Sequence, residues 1–299
     1  MTAPARRQGG VALVLVMWVL TLLTVMALAL TLSQRTESAL SDNHITAARF
    51  RVLADAASAY TALQFIDSSA TDTVADEAQI SRQWLPDGTP HRWTFAGADL
   101  VIAVTNEASR VDLNQADQTL LSQLLEVLGV GVEQAGALAA AILDWRDEDD
   151  LTSVNGAEDA EYQAAGRGAG ARDEPFSSIE ELRQVLGMTD EIYRRLAPEV
   201  TVDTNGESLD EDFASPAVLA AAQGISLEEA AEQVAERNQP VVPGAEPARI
   251  RNRGGPFYRI RVTQQLGELA NSMESLIELT PAEDAPYRVR WRRFGLRAD

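Results

Sequence analysis

The sequence predicts an α+β fold: a long N-terminal helix packed on an antiparallel sheet, with a large α-helical domain inserted between the strands. Three observations predict it. No Gly or Pro occurs from residue 11 to residue 85. Short runs rich in β-formers flank the middle of the chain: His91–Phe95 and Leu100–Thr105 before it, Phe257–Val262, Met273–Leu279 and Tyr287–Trp291 after it. Between them, residues 111–238 are Ala/Leu/Glu-rich, acidic and helical in pattern.

The helix is justified first. From Val11 to Leu32 the chain carries no charge, Gly or Pro. At about 1.5 Å per residue that segment reaches roughly 33 Å, enough for a bilayer. Arg6 and Arg7 precede it with no acid nearby, which places the N-terminus in the cytoplasm and the bulk of the chain outside. After Arg35 the pattern turns one-sided, with Ile45, Ala48, Val52, Leu53, Ala56, Tyr60 and Leu63 at helical spacing. One helix is therefore expected from Val11 to about Ile66. Three processing routes are open: signal cleavage after Ala27-Leu28-Ala29, an uncut anchor, or a cut between Gly10 and Val11 that leaves the apolar helix as the mature N-terminus.

The strands come next. Gly97–Asp99 turns between the first two runs, and the three C-terminal runs complete an antiparallel sheet. In the insert, Leu120–Leu143 reads as two helices around Leu128-Gly129-Val130-Gly131, a helix-hairpin-helix pattern. Ile179–Ala197 is a weaker second copy, with Thr189 in place of the second glycine, and Pro216–Arg237 is a third helical pair. Tyr162–Asp173 is small and Gly-rich and reads as a mobile loop. Asn205–Phe213 and Gln239–Pro247 read as connectors.

Composition excludes much chemistry. The chain has 299 residues, is 45% apolar, and has no cysteine, which removes disulfides, Cys-ligated zinc and thiol catalysis. His44 and His91 are its two histidines, too few for a His-built site. The net charge of −20 and the absence of any basic residue between Val111 and Trp145 make the hairpins poor phosphate ligands, so no nucleic-acid partner is expected. No P-loop, G-x-S-x-G, H-E-x-x-H or dinucleotide loop is present, so the chain is not expected to be an enzyme. Residues 248–299 hold ten arginines against six acids. They read either as an arginine-laced sheet face or as a docking surface for an acidic partner.

The segment 144–161 holds eight acids and one arginine. Such density is solvated or neutralised by a cation, and calcium suits an all-oxygen, flexible loop. An EF-hand loop beginning at Asp147 fails, because Leu151 and Thr152 stand at its fifth and sixth positions. Asn155-Gly156 would let the loop fold back. Paired carboxylates could also do acid/base work, but no other residue supports that.

The short basic leader ending at Gly10 resembles a prepilin leader, cut before Val11 by prepilin peptidase. Leu15 stands where pilins and pseudopilins carry Glu at the fifth mature position. With Asp112-Leu113-Asn114, Asp144-Trp145 and the acidic run, Gly156-Ala157-Glu158-Asp159, and Pro175-Phe176 leading to Glu181-Leu182-Arg183, the chain resembles the protein K family of minor pseudopilins of type II secretion. The resemblance implies a pilin-like core with an inserted α-domain. It implies a structural role at the pseudopilus tip, with I- and J-type minor pseudopilins as partners, an inner-membrane anchor and a periplasmic body. It also implies calcium in the α-domain, for which Asp147, Asp149, Glu158 and Asp159 are the expected ligands, with Asp144 beside them.

The expected organisation is a leader at 1–10 and a transmembrane half-helix at 11–32. The pseudopilin core then opens at 33–110, is interrupted by the inserted α-domain at 111–238, and resumes at 239–299. Two alternatives remain: a membrane-anchored helix-hairpin-helix protein binding DNA during uptake, and a minor pilin of a type IV pilus.

Overall fold

The computed structural model describes residues 11–67, 83–239, 253–267, 269–279 and 285–298. The expected leader, Gly10 and most of the second connector lie outside them. The chain divides into two compact units, Met1–Ala54 and Asp55–Asp299.

Helix α1 runs Val11–Asp67, 57 residues without a break, as the absence of Gly and Pro requires. Its apolar side chains from Leu13 to Leu32 are exposed. Thr21, Thr24 and Thr31 turn their hydroxyls back to the carbonyls of Trp18, Leu20 and Ala27, each at 2.7 Å, so these polar groups are satisfied inside the helix. Among the described residues, this is the one helix long and apolar enough to cross a membrane.

The buried face of α1 differs from the expected stripe. Phe50, Leu53, Ala54, Ala57, Thr61, Ala62 and Phe65 are buried, whereas Ile45, Val52 and Leu63 are 63%, 69% and 61% exposed. The helix carries two apolar stripes on opposite faces. The buried one includes the small residues Ala54, Ala57 and Ala62.

The Asp55–Asp299 unit is built on a five-stranded antiparallel sheet in the order β1-β2-β5-β6-β7. Its strands are β1 Asp87–Phe95, β2 Ala98–Asn106, β5 Phe257–Leu266, β6 Leu269–Glu278 and β7 Arg288–Ala298. The first hairpin closes through Ala96 and Gly97, both at positive φ (49° and 73°), the conformation that two-residue hairpins demand. On the face turned to α1, Ser58 Oγ lies 3.3 Å from Ser275 Oγ, Phe65 packs edge-on against Tyr258, and Tyr60 stacks on Trp93.

Between β2 and β5 the chain forms helices α2 Gln118–Val127, α3 Val132–Arg146, α4 Asp159–Ala164, α5 Asp190–Leu196, α6 Pro216–Gln223 and α7 Leu227–Arg237. Short strands β3 Val111–Asp112 and β4 Val200–Thr201 pair in parallel near its start and middle. One apolar core, from Val111 to Ala230, unites these helices. The second hairpin copy differs from a plain helix pair: its first arm, Ile179–Gln184, is a 3-10 helix. Thr189 instead caps the second arm, accepting Ile192 N–H at 3.2 Å.

The helical segment is tied to the other face of the sheet. Glu107 and Arg259 form a buried ion pair that also receives the Thr201 hydroxyl at 2.6 Å. Trp291 Nε1 donates to Asp203 at 3.0 Å, and Arg293 pairs with Glu180 at 3.0 Å.

Candidate functional site

The acidic run begins where α3 ends. Asp144 sits in the last turn of α3 with no exposure, beside buried Trp145, and Asp147 is the C-cap. Gly156 brings the loop back against Asp144: a Cβ there would collide with Asp144 Oδ2, so a larger residue would force the buried carboxylate to move. Ser153 N–H donates to the same oxygen at 3.1 Å. Glu158, also buried, stands at the N-terminus of α4, with its own N–H given to Glu161 Oε2 at 3.0 Å.

The structure adds a residue not foreseen. Asp173 arrives through its backbone N–H, which donates to the Trp145 carbonyl at 3.1 Å, and holds φ at 57°. Asp144 Oδ1, Asp147 Oδ1, Glu158 Oε1 and Asp173 Oδ1 are all buried without a hydrogen-bond partner. Four orphaned carboxylate oxygens in one region are costly unless a cation satisfies them. The electrostatics agree. Burial, then Asp144, Asp147, Asp173 and Asp150, push the Glu158 carboxyl up to about 7. Burial, then Asp144, Asp149 and Asp173, raise Asp147; burial, then Asp150 and Asp159, raise Asp173.

Two expected ligands stand apart. Asp149 is exposed and accepts Leu151 N–H at 2.9 Å, and Asp159 is exposed and packs against Gly170. The donor set is all oxygen and suits a hard cation. Among the described residues, no three His, Cys, Asp or Glu side chains already converge into a metal cage. The carboxylates thus match a hard cation in donor type and burial, while their present positions do not form a coordination site. The Gly-rich stretch is not a free loop throughout: Tyr162 is buried beside Trp145 and accepts Leu186 N–H at 3.0 Å.

The other singled-out motifs are structural clamps. Asp112 Oδ1 accepts Asn114 N–H at 2.7 Å, and its Oδ2 accepts the Thr204 hydroxyl. Asn114 holds Phe176 from both sides, donating to its carbonyl at 3.0 Å and accepting its N–H at 2.8 Å. Glu181 accepts Ser177 and Ser178 N–H at 3.0 and 3.2 Å and pairs with Arg172, next to Asp173. At the first hairpin, Arg195 Nη1 donates to the Leu128 carbonyl at 2.7 Å and lies against Gly129.

These clamps fall within residues 99–204, which match the family described as type II secretion system (T2SS), protein K. Over those residues the chain is similar to type II secretion system protein K. It is 29% identical over 239 residues to the protein K of Klebsiella pneumoniae, covering 72% of this chain and 70% of that one. To the protein K of Pectobacterium carotovorum subsp. carotovorum it is 28% identical, covering 65% and 62%. The fold is similar to a chain in the crystal structure of the GspK-GspI-GspJ complex from the enterotoxigenic Escherichia coli type 2 secretion system. There the TM-score is 0.60 at 19% identity, over 85% of this chain and 98% of that one.

Proposed function

We propose that this chain is a type II secretion protein K, a minor pseudopilin that caps the tip of the pseudopilus together with I- and J-type minor pseudopilins, and so supports protein export across the outer membrane. One observation carries the reading. The unbroken helix α1 begins with an exposed apolar segment and ends packed on a sheet, and that sheet carries a bulky helical segment between β2 and β5. Such a subunit can be held by its apolar helix, while the bulk of its helical segment hinders the addition of a further subunit. The exposed Ile45, Val52 and Leu63 suit packing against helices of neighbouring subunits.

The anchor lies in the inner membrane and the body in the periplasm, by the arginines ahead of Val11. Prepilin peptidase cuts between Gly10 and Val11, so the chain is a substrate and not an enzyme. The α-domain holds calcium as a staple, through Asp144, Asp147, Glu158 and Asp173, with Asp149 and Asp159 at its margin. When bound, the cation neutralises the carboxylates that otherwise repel one another. DNA is a poor partner for the first hairpin, because no basic residue lies between Val111 and Trp145 while Asp112, Asp117, Glu126 and Glu133 do.

The test is reconstitution in detergent of the full chain with I- and J-type pseudopilins. A discrete complex in size-exclusion chromatography with light scattering is expected. Separate elution of all three would contradict the reading.

A further inference from the structure

Among the described residues the five-stranded sheet ends in two outer strands, β1 and β7, and the two edges differ. β1 is blunted for further pairing: Pro90 has no N–H to give, and the register shifts between Asp87 and Pro90. β7 runs eleven residues, RVRWRRFGLRA, without a proline. Arg290 is the one extra residue against β6, and from Trp291 to Ala298 the register is unbroken. In an antiparallel pair, every second residue of an outer strand turns its N–H and C=O away from its neighbour. β7 therefore offers an outward row of main-chain donors and acceptors.

The same edge carries a concentrated charge. Half of the ten arginines between residues 248 and 299 lie on β7, which holds no acid, in a chain of net charge −20. Arg292 reaches Asp55 of α1 at 3.4 Å, and Arg293 reaches Glu180 of the helical segment at 3.0 Å. Guanidinium groups thus flank the edge on both faces of the sheet. Arg290, Arg292 and Arg293 stay 45%, 38% and 52% exposed beside their carboxylates. Arg288 is exposed and has no ion pair among the described residues.

We propose that the outer edge of β7 takes up an extended acidic segment of a partner protein as a further strand. Main-chain hydrogen bonds would hold the segment, and the arginines would select its side chains. A second copy of this chain is the wrong occupant, because β7 laid on β7 sets arginines against arginines. That repulsion also keeps the open edge from pairing with itself. A flat anionic surface fits poorly, since the guanidinium groups point to opposite faces. Glu or Asp side chains alternating along a strand meet both sets.

The test uses the full chain in detergent and three fluorescent decapeptides, read by anisotropy. The first alternates Glu with Val and Thr. The second has Gln in place of every Glu. The third keeps every Glu but has proline at all other positions, so it has the charge without the ladder donors. The first should bind saturably, and the other two about tenfold or more weakly. Hydrogen-exchange mass spectrometry should show the first peptide slowing amide exchange within residues 288–298. Arg288→Glu/Arg293→Glu should reverse the preference, losing the Glu peptide and gaining its Lys counterpart, an exchange that no scaffold role for these arginines predicts. If that variant does not fold, Arg288→Glu alone should move the Glu-to-Lys preference several-fold the same way. No saturable binding of the Glu peptide, equal binding of the Gln or proline peptide, slowed exchange only outside 288–298, or an unchanged preference in the folded variant would overturn the proposal.

Discussion

Arg259 grips Glu107 in a two-point ion pair, Nη2 to Oε1 at 2.5 Å and Nε to Oε2 at 2.9 Å, with Glu107 wholly buried. One partner lies on β5 and the other at the entrance to the helical segment, so the pair joins sheet to insert. Removing one charge leaves the other buried alone. Glu107→Ala should therefore destabilise by about 3–5 kcal/mol in a denaturant melt. The double variant Glu107→Leu/Arg259→Met should lose much less. Equal losses would mean the two charges are not coupled.

The same pair predicts a pH dependence. Burial alone would raise the Glu107 carboxyl, but the Arg259 charge and hydrogen bonds, with Arg110 and Thr201, hold it below its ordinary value of 4.5. A lowered folded value means the stability it contributes is full above pH 4.5 and lost as pH falls through the folded value. The melting temperature of the wild-type chain should drop in that acidic window. The drop should be smaller in the double variant.

Calcium should stabilise the α-domain by binding the folded state alone, by about 2.7 kcal/mol at a hundredfold excess over its dissociation constant. Asp144→Asn and Glu158→Gln should each abolish the calcium-dependent rise in melting temperature. Asp173→Asn should weaken it, and Asp149→Asn should change it little. An undiminished rise in Asp144→Asn would remove that residue from the site.

Without calcium the sign of the pH effect at Glu158 is opposite to that at Glu107. Its folded value of about 7 lies above its ordinary 4.5. The stabilisation from its proton is full below pH 4.5 and lost as pH rises through about 7. The chelated chain should melt lower at about pH 8 than at about pH 6, and calcium should restore the loss on the alkaline side. Glu158→Gln should flatten the chelated profile.

Much of this was legible in sequence, for physical reasons that differ by residue. Unbroken helix α1 follows from the missing Gly and Pro, and the first hairpin from Gly97. The first hairpin pair follows from Gly129 and Gly131 between apolar helical runs. The buried face of α1 did not follow, because Ile45, Val52 and Leu63 form as good a stripe as Phe50, Leu53, Ala57 and Phe65. Spacing cannot say which stripe meets the sheet and which stays free. Asp173 was out of reach for another reason: it joins the acids through a backbone bond to Trp145, a contact between distant positions. An acid closing a Gly-rich stretch just before Pro175-Phe176 was the one available signal. Asp149 and Asp159 were expected from the density of acids together with the family resemblance; both are exposed in the structure, and density by itself gives no orientation.

Entry of this chain into the pseudopilus by the prepilin route is tested most directly by the intact mass and N-terminal residue of the protein recovered from its own membranes. The expected result is a chain beginning at Val11, N-methylated, with α1 whole. A chain beginning near Leu30 would contradict that route, since the apolar segment that anchors the subunit would then have been removed.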